Sequence, residues 1–488
     1  MRLIAENLWT YIHGTYPTGL LDPVTSFFVD GAWFSPAYRK GHWDGRLRFV
    51  EHDRQAGMWK FPTGLLQAVL EYLESREYRY DFSDVRQIPL IEPQLLLQDK
   101  NGGTIRLDEG SRDYQAGVVE TMLQHGRGVV KLATGGGKTV IGAAVIKSVG
   151  GQWAWLTHKV PLLYQTKAAL EMRLGRKIGI LGDQEEDLQE VTVCMVQTLA
   201  SVFNKPGREN VRDWCRTCVG LIGDEVHHLE SDQWYSAFWQ FPAIWRFGLS
   251  ATPPKPDAGG MYLQAMTGSQ LCDIKAIDLI RRGALVQPRI WFCQIDEPVI
   301  DKKAEWPAIY SQGILKNEYR HNKISEAAAI FRTEGKPTLI LVSRLGHGQA
   351  IVKACEDKDV RTGWVHGKVS QADRDTQFED LLAGRLHAIV AMSETVGEGF
   401  DVPALRAIIN ATGTRGGGNA KDDETGRATL QFLGRVLRPA EGKPYADYVD
   451  FVDVGHKALR KASLARIETL ESEGYSDFIK YWKDYKIE

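Results

Sequence analysis

The segment "VVKLATGGGKTVIGAAVI" (129–146) constrains this chain more than any other. It passes from an apolar strand pattern through three glycines into a helical pattern. A strand, a tight glycine turn and a helix make the opening unit of a parallel α/β sheet. In such a turn the backbone N–H groups of Gly135, Gly136 and Gly137 can wrap a phosphate. Lys138 can reach the β- and γ-phosphates, and the Thr139 hydroxyl can ligate Mg²⁺. The strict phosphate-loop pattern asks for glycine where Leu132 stands, so the loop alone leaves an accidental glycine turn open.

The chain around it repeats the same grammar. From Arg112 onward short apolar runs alternate with helical stretches: "GVVKLAT", "QWAWLTH", "VTVCMVQT", "VGLIGDE" and "RFGLSAT". A second series follows from about Val286: "PRIWFCQI", "PTLILVS", "RTGWVHG", "HAIVAMS", "RAIINAT" and "DYVDFVD". Two tandem α/β domains with parallel sheets are the simplest reading. With 488 residues there is room for about three domains. The divisions expected are 1–108, 109–285, 286–455 and a helical extension at 456–488. "QDKNGGTIRLDEG" (98–110) is polar and glycine-bearing and is expected to be a loop or linker. "GTRGGGNAKDDETGRA" (413–428) is expected to be a mobile loop.

Net charge is -2, so any anionic partner must be held by local patches rather than by the chain as a whole. No apolar run is long enough for a membrane helix, and the first residues lack the apolar centre of a signal peptide. A cytoplasmic protein with no membrane partner is expected. Cys215 and Cys218 form a lone CxxC; a zinc site needs a second pair, and reduced thiols are the default.

"VGLIGDEVHHL" ends an apolar strand in Asp224–Glu225. An acidic pair at the C-terminal tip of a parallel strand lies where phosphate-bound magnesium would be. Asp224 would hold Mg²⁺, mostly through water, and Glu225 would orient the attacking water. Metal ligation by the adjoining His227 and His228 is the rival reading of this stretch. Near the end, Gln431, Arg435 and Arg438 recur at helical spacing and are expected on one helix face. Arginines there can stabilise charge on a γ-phosphate, or form a solvated basic face.

The amino-terminal region has a different composition. Asp44–Gly45 is a hairpin signal, and after it "RLRF" alternates Arg46 and Arg48 with Leu47 and Phe49. Basic residues outnumber acidic ones between Arg39 and Lys60, which suits phosphate contacts. Trp33, Phe34, Tyr38 and Trp43 could stack on bases. A domain this small has few other bulky apolar residues, so most of them are expected in its core. Farther on, Lys457, Arg460 and Lys461, with Arg466 behind them, lie in a helical pattern; the first three share a face that could flank DNA, or the helix is solvated and packs through Leu459, Leu464 and Ile467.

"ATGGGKT" with "DEVHH" resembles motifs I and II of superfamily 2 helicases of the DExH kind, which tolerate a non-glycine at Leu132. "RDYQ" (112–115) resembles the adenine-sensing Q motif, so Arg112 and Gln115, with Thr134 and the loop, are implied in ATP binding. "THKVPLLYQ" and "VQTL" resemble motifs Ia and Ib, which implies DNA contacts by Thr157, Lys159, Gln197 and Thr198. "LSATP" resembles motif III and implies coupling roles for Ser250 and Thr252. "LVSRLGHGQAI" resembles motif IV and "MSETVGEGFDVP" motif V, which implies DNA contacts by Ser343, Arg344 and Ser393 and ATP contacts by Gly399 and Asp401. His366, beside the "GKV…R" segment, is added to the DNA set. "QFLGRVLRP" resembles motif VI, which implies catalytic roles for Gln431, Arg435 and Arg438 beside Lys138, Asp224 and Glu225.

"FSPAYRKGHWDGRLRFVEHDR" resembles the amino-terminal domain of UvsW-type helicases of tailed phages, with the "GHKALRKASLAR…YSDFIKYW" ending extending the similarity. The resemblance implies two RecA-like domains behind a small α+β DNA-binding domain. It implies an ATP- and Mg²⁺-dependent monomer acting on branched or duplex DNA, with single-strand contacts in the motor and RNA–DNA hybrids as further substrates. The alternatives are the motor subunit of a restriction or defence system, a DExH RNA helicase, and a nucleotide-gated clamp without turnover.

Overall fold

Three strands without one exposed residue show why the first sheet must be clad on both faces. Trp153–Thr157, Gly220–Asp224 and Trp245–Ser250 are buried along their whole length. The computed structural model describes residues 1–99, 101–203, 205–226, 232–254, 258–396, 402–413 and 424–484. Among these, the three strands are central in an eight-stranded sheet. Its order is Glu185–Asp187, Gly179–Gly182, Val191–Met195, Trp153–Thr157, Gly220–Asp224, Trp245–Ser250, Arg127–Leu132, Gln270–Ile274. Every neighbour is parallel except the edge strand Glu185–Asp187.

The second sheet has seven strands, all parallel, in the order Thr362–Val365, Ala388–Met392, Thr338–Val342, Ala407–Asn410, Tyr445–Asp453, Gln287–Ile295, Ile479–Tyr481. This is the pair of tandem α/β domains expected from the alternating pattern, and it fits the RecA-like domains that the resemblance implies. The carboxyl-terminal helix Lys457–Ser472 is tied to this sheet by Arg466 on Asp450, its Leu459 packs with Ile300, Ile309 and Ile314, and Ile479–Tyr481 adds the edge strand. The chain divides into two compact units, Met1–Ala133 with Gly137–Ile274, and Lys275–Glu488 with Thr134–Gly136.

The amino-terminal region is part of the first unit. Its five strands lie in the order Glu51–Asp53, Met58–Pro62, Trp9–His13, Arg2–Ala5, Asp81–Asp84, antiparallel but for the last pair. Leu66, Val69 and Leu73, at helical spacing, bury one face of Leu66–Ser75 beneath it. Aromatic contact joins this sheet to the domain of the eight-stranded sheet. Trp9 stacks on Trp239 at 4.3 Å and 7°, and Lys60 Nζ lies over the Trp9 ring at 4.4 Å. Gly64 lies so close to the Gln264 carbonyl that a Cβ would come within 2.0 Å of it.

Three local expectations are overturned. The supposed linker 98–110 contains a hairpin, Leu96–Gln98 with Thr104–Arg106, whose Leu97 and the following Leu107 enter the core of the first α/β domain. Asp99 turns it by accepting from the N–H groups of Asn101 and Gly103, which is why the polar run folds. Asp44–Gly45 is not a hairpin tip. Arg46–Arg48 pairs instead with Ser26–Phe28, because Pro36 opens a short helix, Pro36–Arg39, where the first arm was expected. Trp33, Phe34 and Tyr38 are exposed rather than core; the apolar centre is supplied by residues such as Leu3, Ile12, Phe61 and Leu65.

Candidate active site and nucleic-acid surface

The phosphate loop is shaped by glycines in left-handed backbone: Gly135 has φ +83° and Gly137 has φ +93°. A Cβ at Gly137 would also meet the Gln115 side-chain nitrogen at 2.2 Å. The amide of buried Gln115 therefore packs directly on the loop. Lys138 begins the helix Lys138–Val149, with Thr139 next to it. Strand Gly220–Asp224 delivers the acidic pair to the same sheet edge, one strand away across Trp245–Ser250.

There Lys138 forms an ion pair with Glu225, and its Nζ lies 3.9 Å from Asp224 Oδ1. Glu225 is turned toward the lysine by a left-handed backbone, φ +52°, at a cost of order ~1–2 kcal/mol. Its N–H donates to Asp224 Oδ1 at 3.0 Å. A lysine, two carboxylates and a threonine hydroxyl gathered at a helix N-terminus suit a polyphosphate and its divalent cation. Ser250, fully buried at the end of the intervening strand, accepts from the Thr252 N–H at 3.1 Å. Thr157 and Lys159 follow the neighbouring strand. Gln197 donates to the His158 carbonyl at 3.0 Å and so ties the Gln197–Thr198 segment to them. Arg112 precedes the Gln115 helix and is half-buried.

In the second unit Ser343, Arg344, Ser393 and His366 follow three adjacent parallel strands and share one sheet edge. The Ser393 N–H donates to the Val342 carbonyl at 2.8 Å, and Arg374 donates to the His366 carbonyl at 3.3 Å. Gln431 and Arg435 lie on helix Glu424–Val436, but Arg438 lies beyond its end. The shared helix face expected for all three fails because Pro439 disfavours helical backbone at the residue before it. Lys443 instead fastens this turn, donating to the carbonyls of Pro403 at 2.7 Å and Arg438 at 2.9 Å. Gly399, Asp401, His227, His228 and 414–423 lie outside the described residues.

The arginines singled out in the amino-terminal region have internal partners. Arg48 bridges Asp22 and Asp44, and that contact holds the Asp44 carboxyl down to about 2. Arg46 donates to Ser26 through its hydroxyl at 3.0 Å and its carbonyl at 3.3 Å, while Trp43 Nε1 donates to the Arg46 carbonyl at 2.8 Å. Arg466, considered above as a basic surface residue, is 1% exposed and holds Asp450 with two nitrogens at 2.9 Å. Lys457, Arg460 and Lys461 of the same helix remain exposed. Sequence reasoning missed Lys443, for which no local signal existed. It also missed the exposed Trp33–Phe34 pair, whose signal was the Ser35–Pro36 helix start just behind it.

Comparison with known proteins separates the helicase types. A family model described as the type III restriction enzyme res subunit matches 109–255, and the helicase conserved C-terminal domain matches 321–440. Those two describe a motor shared by many helicases. The amino-terminal domain of the DNA helicase UvsW matches 20–83. Together these matches make the chain a UvsW-like superfamily 2 helicase. This helicase is 21% identical to the ATP-dependent DNA helicase uvsW of Enterobacteria phage T4 over 455 residues, 88% of this chain and 85% of the other. It is 22% identical to putative helicase 22 of a Sulfolobus islandicus filamentous virus, across 74% of this chain and 67% of that one. A solved type ISP restriction-modification enzyme, LlaBIII bound to DNA, shares the fold at TM-score 0.57 and 16% identity, over 86% of this chain and 35% of its own. The helicase is an ATP-dependent enzyme whose substrate is nucleic acid. Among its described residues no helix is long and apolar enough to cross a membrane.

Proposed function

We propose that this helicase uses ATP and Mg²⁺ to remodel branched DNA, migrating junctions, regressing forks and dismantling R-loops in phage recombination, replication or repair. The observation that carries the reading is a match to the UvsW amino-terminal domain joined to matches to two helicase domains on one chain. In this proposal 1–108 holds DNA, 109–285 and 286–455 are the motor domains, and 456–488 is an extension of the second. The protein works as a monomer in the host cytoplasm, and RNA–DNA hybrids fall within its range.

Lys138 and the loop from Thr134 to Gly137 bind the phosphates, with Arg112 and Gln115 at the base and Gly399 and Asp401 as further ATP contacts. The ion pair of Lys138 with Glu225 supports a specific order of events. An arriving phosphate replaces Glu225 as the counter-ion of Lys138, and the freed carboxylate then takes a proton from the attacking water. Thr139 and Asp224 would hold Mg²⁺, which when bound neutralises charge on the phosphate oxygens. Arg435 and Arg438, with Gln431, stabilise the charge that develops as the phosphoryl group transfers. Ser250 and Thr252 pass the change to the DNA contacts: Thr157, Lys159, Gln197 and Thr198 in one motor domain, and Ser343, Arg344, His366 and Ser393 in the other. Arg46 and Arg48 stay in the DNA set through whatever part of their charge Asp22 and Asp44 leave to solvent.

The test presents matched linear duplex, fork, four-way junction and R-loop substrates and measures ATP-dependent remodelling of each. Preference for the branched substrates is expected. Unwinding of duplex RNA with no action on branched DNA, or metal-dependent DNA cleavage by the pure protein, would contradict the proposal.

A further inference from the structure

The loop joining Ser26–Phe28 to Arg46–Arg48 turns its aromatic side chains outward. Phe28 is 39% exposed, Trp33 50%, Phe34 68% and Tyr38 36%. They form one patch: Phe28 and Trp33 are nearly parallel with centroids 6.2 Å apart, Phe34 tilts on Trp33 at 5.8 Å, and Tyr38 meets Phe28 edge-on at 5.9 Å. We propose that Trp33 and Phe34 form a stacking platform for unpaired bases at a DNA branch point. This inference rests on the DNA-helicase reading and assigns within it a base-contacting site.

The platform is built before any ligand arrives. The Val29 N–H donates to the Gly45 carbonyl at 2.7 Å and closes the loop at its base. Gly45, at φ +81°, lets the Phe28 ring lie against the backbone, where a Cβ would come within 2.4 Å of it. The Phe34 N–H donates to the Gly31 carbonyl at 2.9 Å, and Ser35 caps the following turn by accepting from the Ala37 N–H at 3.3 Å. Arg39 Nε donates to the Trp33 carbonyl at 3.0 Å, which fixes the ring's backbone and brings a guanidinium beside the patch. A fixed platform loses little side-chain entropy when a flat ligand settles on it.

The chemistry of the patch selects its occupant. Its apolar surface is made of aromatic rings; of the loop's exposed acidic residues Asp44 is paired with Arg48 and Asp30 precedes the rings, while Arg39, Lys40 and His42 follow them. Stacking faces beside positive charge match a base and its phosphate. Four partly exposed rings offer on the order of 400 Å², about half of what a stable protein interface takes from one partner. Paired bases present no open face to a protein ring, so the site favours strands that are single at a fork or junction. Because Arg46 is tied to Ser26 and Arg48 to Asp22 and Asp44, whatever charge they still offer DNA is not selective, and the rings would discriminate branched from linear DNA.

The experiment compares the full-length protein with Trp33→Ala/Phe34→Ala, using a fork with single-stranded arms and a blunt duplex of equal length. A 2-aminopurine in one arm next to the branch reports stacking. The double variant is expected to bind the fork roughly tenfold less tightly, to lose less on the blunt duplex, and to leave the salt slope of binding unchanged because no phosphate contact is removed. The 2-aminopurine quenching seen with wild type should disappear and return with Trp33→Phe. Phe34→Ala alone, at the most exposed ring, guards against misfolding. Equal losses on fork and duplex, no loss on the fork, or a wild-type dimer that the substitutions dissociate would overturn the platform. Wild-type protein that neither binds DNA nor hydrolyses ATP in response to it would overturn the helicase reading instead.

Discussion

Gly137 has no room for a methyl group. Its φ of +93° is unfavourable for any other residue, and the Gln115 amide fills the space where a Cβ would go. Gly137→Ala is therefore expected to weaken ATP binding at least tenfold, roughly 1.4 kcal/mol, as measured by fluorescent-nucleotide titration; unchanged affinity would show that the loop relaxes freely. Glu225 is the complementary case. Glu225→Gln removes the competing anion from Lys138 and the proposed base together. ATP affinity should hold or tighten while single-turnover hydrolysis falls roughly 10²–10⁴-fold. At this scale the phosphate loop and the acidic pair were legible because their chemistry is local in sequence: Lys138 and Asp224–Glu225 could each be picked out from their neighbours. The Gln115 contact with the loop was legible only through family resemblance, since it spans two elements. Arg46 and Arg48 were misjudged for the same reason. Their partners Ser26 and Asp22 lie some twenty residues upstream, beyond what strand alternation can report.

Secondary elements were legible where periodicity was strong. Each apolar run of the two series became a strand, and the Leu66–Ser75 helix followed its spacing. Short and polar elements were not: the hairpin 96–106 depends on Asp99, and Arg438 left its helix because of Pro439. Two predictions belong to this level. The helix Lys457–Ser472 is pinned by Arg466, whose guanidinium meets Asp450 in a site with no solvent. Arg466→Ala strands the Asp450 carboxylate and should cost about 3–5 kcal/mol, read as a fall in the denaturation midpoint of the second unit.

Lys443, under the motif VI turn, is pulled from 10.5 to about 7, first by burial and then by the Arg406 and Arg438 guanidiniums. The folded state then binds fewer protons than the unfolded chain between those two values. Stability should rise with pH across that window, and the destabilisation should be fully present below about 7. Melting temperature measured across that range should climb in wild type relative to Lys443→Met. Parallel curves would show that the two carbonyls keep Lys443 fully charged.

For the whole molecule, the tandem α/β architecture was readable from alternation alone, whereas the helicase type depended on a short amino-terminal stretch. What alternation could not tell is that the amino-terminal sheet belongs to the first motor unit, fastened by Trp9 on Trp239. Helix Asp232–Trp239 carries that stacking residue and follows the acidic pair closely in sequence. The amino-terminal sheet and the Asp224–Glu225 pair thus belong to one unit, which in the proposed reading joins DNA holding to hydrolysis. The central claim is that ATP turnover at Lys138 and the Asp224–Glu225 pair drives action on DNA. Steady-state ATP hydrolysis, with and without a four-way DNA junction, tests it most directly in wild type and Lys138→Ala. The account expects turnover that rises with the junction in wild type and is abolished in the variant, with junction binding retained. Undiminished, DNA-stimulated hydrolysis by Lys138→Ala would contradict it.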